Sequence, residues 1–132
     1  SMSKSILFAL FALLAVIGHA HAQDDAHLNA TWTAKQSQYA DFEANFTAIL
    51  DAMTPEMARF KQTANPADAY HLCVHARQFR DILSHNVQHT AAFNQRHSPP
   101  SYQELQHYWH HAVDSSRHNC AAAAQAISAP WP

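Results

Sequence analysis

The stretch "NPADAYHLCVHARQFRDILSHNVQHTAAFNQR", residues 65–96, decides how the chain is read. Asn65 followed by Pro66 is a helix start signal: an N-cap side chain, then a residue whose missing N–H costs nothing in the first turn. No proline or glycine interrupts the next thirty residues, so the stretch predicts one long helix from Asn65-Pro66 to about Arg96, stopped by "HSPPS". Downstream, Ser101-Tyr-Gln-Glu104 is a capping box, opening a helix from Tyr102 to about Ile127 that buries Leu105, Trp109, Val113, Cys120 and Ile127. "SAPWP" closes the chain, with Trp131 able to pack back. Upstream, Leu28, Trp32, Tyr39, Phe42, Phe46, Ile49, Leu50 and Met53 fall on one helical stripe. Thr54-Pro55 then reads as a kink or the start of a short helix to about Gln62. The fold class expected is all-α: a small antiparallel bundle of three long helices plus a short segment.

Composition points the same way. The one glycine is Gly18. Phosphate-cradling loops, dinucleotide turns and nucleophile elbows need glycine where the backbone is crowded or left-handed, so those enzyme classes are excluded. Tight hairpins favour glycine too, which counts against an all-β fold. Residues 1–22 read as a cleavable secretory leader: Lys4, an apolar run, then Ala20-His21-Ala22 as a cleavage site. That run, about 14 residues, is short of the roughly 20 that span a bilayer. Ser1 ahead of Met2 reads as a remnant of tag removal. Residues 23–132 form the expected single domain, periplasmic or secreted, with no further membrane span. It carries seven Lys and Arg (eight less Lys4) against ten Asp and Glu and shows no basic patch for nucleic acid.

Two cysteines in an exported chain favour a disulfide. Cys73 lies 26 residues before Pro99 and Cys120 lies 21 after it, so a helical hairpin turning there brings them within roughly 7 Å in level. A Cys73–Cys120 bridge is expected, stabilising by about 4 kcal/mol in the chain-entropy model. A C-x-x-C-H haem motif is absent from the sequence. Cys73 also points away from His71 and His75 on a regular helix, so the three do not share one ion.

Twelve histidines, ten of them after residue 22, are the most conspicuous polar feature. His71/His75, His85/His89 and His107/His111 have the i,i+4 spacing that lets two imidazoles converge on one metal. His71, His75, His85 and His89 share an arc at a helix seam. His107, His111, Asp114 and His118 form an exposed stripe of two successive clamps, its ends about 16 Å apart. Such nitrogen-rich sets suit zinc, copper or nickel, although exposed pairs also bind metals adventitiously. Ser115, Ser116, Asp114 and His118 point around one helix and make no triad.

The functional expectation is a non-catalytic binding protein. Contact with a protein partner, as an inhibitor, chaperone-like or toxin-neutralising module, is the first reading. The alternative is transition-metal binding through the histidine pairs, and an enzyme or haem carrier comes third.

Overall fold

The computed structural model describes residues 30–131, and its regular structure is entirely helical there. A 3-10 turn at Ala30–Thr33 leads into α1 (Tyr39–Thr63). After it come α2 (Pro66–His85), a 3-10 turn at Val87–His89, α3 (Thr90–Arg96), α4 (Tyr102–Ser115) and α5 (Arg117–Ala126). The leader, its cleavage site and the expected helix start at Leu28 lie outside the described residues.

Both start signals work as the sequence suggests. Asn65 Oδ1 accepts from Ala67 N–H at 2.9 Å, with Pro66 in the first turn of α2. Ser101 Oγ accepts from Glu104 N–H while the Glu104 carboxylate accepts from Ser101 N–H, completing the capping box of α4.

Four boundaries differ from expectation. The segment ahead of Tyr39 is a 3-10 turn and an extended link, not helix. Thr54-Pro55 does not start a separate short helix: α1 runs through it to Thr63. A proline inside a helix costs about 3 kcal/mol. Here Pro55 faces solvent while Met53, Glu56 and Phe60 around it are buried, and that packing holds the helix together. The long helices after Pro66 and Ser101 are each divided, at Asn86 and at Ser116. Asn86 is fully buried; its Nδ2 donates to Ile82 O (2.9 Å) and Ala34 O (3.2 Å), and its Oδ1 accepts from Gln36 N–H (2.8 Å). One side chain thus ends α2 and fastens the N-terminal segment across it. At Ser116 the hydroxyl donates back to Ala112 O, competing with the backbone ladder.

The contacts along α1 and α2 run in opposite directions: Arg59 meets Asp68, Phe46 meets Phe79, and, just past the end of α2, Phe42 meets His89. The helices after Ser101 return along α2 in the same manner. Tyr102 Oη donates to Leu83 O, Phe79 stacks on Trp109 at 4.8 Å, and Cys73 is bonded to Cys120 with Cα atoms 5.8 Å apart. The largest fully buried side chains, among them Phe42, Phe60, Phe79, Phe93, Tyr102 and Trp109, lie between these elements. The tail folds back as expected: Tyr70 Oη donates to Pro130 O, and the Arg77 guanidinium lies 3.4 Å from the Trp131 ring centre.

With no glycine after position 18, α1 ends on an alanine in the left-handed region. Ala64 has φ 52° and its N–H reaches Phe60 O at 2.8 Å. That conformation costs an L-residue with a Cβ roughly 1–2 kcal/mol. Ala64→Gly removes the clash but adds freedom to the unfolded chain, so a net gain of about 1 kcal/mol is expected from urea unfolding. A loss would contradict a left-handed conformation at Ala64.

Candidate functional site

The most unusual chemistry lies where α1 and α2 meet near their short link. Because that link is only Ala64 and Asn65, the last turns of α1 pack on the first turns of α2. Glu56 occupies the core stripe of α1, between Met53 and Phe60, and is 1 % exposed. His71 and His75, one turn apart on α2, face it from the other side and are 1 % and 0 % exposed. His71 Nδ1 lies 3.5 Å from Glu56 Oε2, and His75 Nε2 lies 3.3 Å from Glu56 Oε1. Each imidazole addresses its own carboxylate oxygen.

A second contact fixes how His75 presents itself. Its Nδ1 is 2.6 Å from Gln78 Oε1, an amide oxygen that can only accept, so the proton of this bond is on Nδ1. With Nδ1 engaged by Gln78, Nε2 is the ring nitrogen turned toward Glu56 Oε1. The Trp32 ring, carried by the N-terminal 3-10 turn, stacks over His75 with ring centres 6.1 Å apart. Next to the cluster, Arg59 Nε donates to Asp68 Oδ1 at 3.2 Å, so a second buried carboxylate is paired at the same helix junction.

The other sequence candidates are placed apart from this cluster. His85 Nδ1 donates to Thr33 O and His89 Nε2 donates to Gln36 O, both at 2.7 Å. These two histidines hold the N-terminal segment, and because α2 ends at His85 they do not share a regular helical face. His107 and His111 sit one turn apart on α4 and are exposed. Asp114 is on the same helix but pairs with Arg117, its Oδ1 accepting from Nη2 at 3.2 Å. His118 lies beyond the break at Ser116, so the expected stripe is interrupted. Among the described residues, no three His, Cys, Asp or Glu side chains are positioned to hold an ion without rearrangement.

Glu56 is absent from the sequence expectation. Its signal was present: Phe42, Phe46, Ile49, Met53, Glu56 and Phe60 are all buried on α1, a carboxylate in an otherwise apolar stripe. A helix broken at Thr54 hides that phase.

A smaller polar cluster joins α1 to the end of α3. Tyr39 Oη donates to Glu43 Oε2 at 2.7 Å, and His97 Nε2 donates to the same oxygen at 2.8 Å. Arg96 lies over the Tyr39 ring, 4.5 Å from its centre. The Tyr39 bond first, and the His97 bond second, hold the Glu43 carboxyl below its ordinary value of 4.5.

No family model, curated protein or solved structure matches the chain.

The lowered Glu43 pKa gives a pH dependence of defined sign. A carboxyl whose pKa falls on folding contributes fully above its unfolded value and loses that contribution as pH drops through the folded value. The stability difference between wild type and Glu43→Gln, read from urea midpoints, should therefore be constant above about pH 4.5 and shrink below it. A difference that grows on acidification would contradict the pairing.

Proposed function

We propose that the chain is an exported, non-catalytic binding protein that takes up a borderline transition metal, zinc, copper(II) or nickel, at Glu56, His71 and His75. The observation that carries this reading is the buried carboxylate flanked by two imidazoles, with N···O separations of 3.5 and 3.3 Å. Ligands held at 2.0–2.1 Å around a tetrahedral ion stand roughly 3.3 Å from one another. His75 is oriented by a bond from its other ring nitrogen to Gln78, the usual outer support of a ligating histidine. A mixed nitrogen and oxygen set favours these metals over magnesium or calcium. Binding requires the three side chains to shift so that their donors meet at one point. Export is supported by the Cys73–Cys120 disulfide, since such bonds persist in oxidising compartments. Contact with a protein partner is the second reading, favoured by the exposed imidazoles of His107, His110, His111 and His118.

Native mass spectrometry of the purified chain, stripped with chelator and offered one equivalent of zinc, copper or nickel, tests the site. One ion should be retained, persist in His107→Ala/His111→Ala, and disappear in His71→Ala/His75→Ala and weaken in Glu56→Gln. At a hundredfold excess over Kd the bound metal should stabilise the wild type by about 2.7 kcal/mol. Uptake that depends on the α4 pair alone, or no uptake at all, would remove the buried cluster as a metal centre.

A further inference from the structure

A separate feature, independent of the metal reading, lies between α1 and the link from α3 to α4. Phe46 and Leu50 of α1, Phe93 and His97 at the end of α3, and Pro100 line a cavity of about 200 Å³, and Glu43, Thr47 and Ser98 complete its lining. Pockets for drug-sized ligands run to roughly 300–1,000 Å³, so this one admits only a small molecule. Its surface is mostly apolar, and Phe46 and Phe93 are already almost wholly removed from water. An apolar occupant therefore gains mainly from removing its own surface from water, with the half-buried Leu50 adding a smaller share.

The polar part of the lining is asymmetric. Both donors to the Glu43 carboxylate, Tyr39 Oη and His97 Nε2, fall on Oε2. Oε1 receives no hydrogen bond from any described residue. With His97 committed to Glu43, the groove offers an anionic acceptor beside an apolar floor. The Glu43 side chain is 37 % exposed at the groove, so an occupant that covers the carboxylate without donating to it would strip water and return nothing. A carboxylate occupant would meet like charge. Arg96 lies over the Tyr39 ring and its charge also acts on Glu43, so an ammonium must compete with it for the carboxylate. The group that satisfies both halves of the groove is a cation with N–H donors on a compact apolar body.

We propose that this groove binds small primary ammonium compounds carrying an aryl or short alkyl group, with the ammonium donating to Glu43 Oε1 and the apolar part lying between Phe46, Leu50 and Phe93. Benzylammonium is the probe, with benzyl alcohol and benzoate as matched neutral and anionic controls. Each is titrated into the isotopically labelled chain and followed by amide and methyl shifts. Benzylammonium should perturb Phe46, Thr47, Leu50 and Phe93 saturably and bind at least tenfold more tightly than either control. Glu43→Gln should abolish that tenfold preference, worth about 1.4 kcal/mol, while leaving benzyl alcohol unchanged. Thr47 is exposed at the groove, so Thr47→Trp should block the probe without touching Glu43 or the core. Equal binding of benzoate, a preference that survives Glu43→Gln, or shifts that never localise to the groove would each overturn the proposal.

Discussion

Fourteen of the twenty residues of α2 are buried, so water reaches this helix along little more than one line of its surface. Every polar side chain elsewhere on it must find its partner inside the protein, because an unsatisfied buried group costs roughly 1–3 kcal/mol and a buried charge more. Asp68 is met by Arg59, Gln78 by His75, and His71 and His75 by Glu56. Just past its end, Asn86 is met by the backbone of the N-terminal segment. Much of the architecture follows from meeting these demands around one helix. α1 supplies the carboxylate and the guanidinium, the 3-10 turn supplies Trp32, and α5 supplies the cysteine that pins α2 at Cys73.

That arrangement sets apart the cluster at Glu56. An apolar residue would fit a core stripe more cheaply than a carboxylate, and buried ion pairs are often matched or exceeded in stability by hydrophobic replacements. Glu56, His71 and His75 are therefore an arrangement that packing alone does not require. The histidines of α4 are exposed. This difference in burial, rather than the number of histidines, is what moves the metal reading from the surface pairs to the junction of α1 and α2.

Helix starts written in local sequence were legible in advance, although the local back-bond of Ser116 to Ala112 O that divides the last helix was not. Asn65-Pro66 and Ser101–Glu104 start helices because their side chains bond backbone N–H groups two or three residues away. The Cys73–Cys120 bridge followed from a hairpin geometry that tolerates the actual breaks. His71 and His75 were legible as a pair, yet their carboxylate was not. Interruptions set by distant partners stayed hidden. Asn86 ends α2 through bonds to residues some fifty positions earlier, and Pro55 remains inside α1 because the buried side chains around it outweigh the local penalty. Reading Pro55 as a boundary also cut the phase that would have placed Glu56 on the core face.

The most direct measurement is a long-range proton–nitrogen correlation spectrum of the histidine rings, recorded before and after one equivalent of zinc. Ring nitrogen shifts identify which nitrogen holds a proton and which holds a metal. The account predicts that zinc moves His71 Nδ1 and His75 Nε2 while His75 Nδ1 stays protonated toward Gln78. Shifts confined to His107 and His111, with the buried rings unchanged, would contradict it.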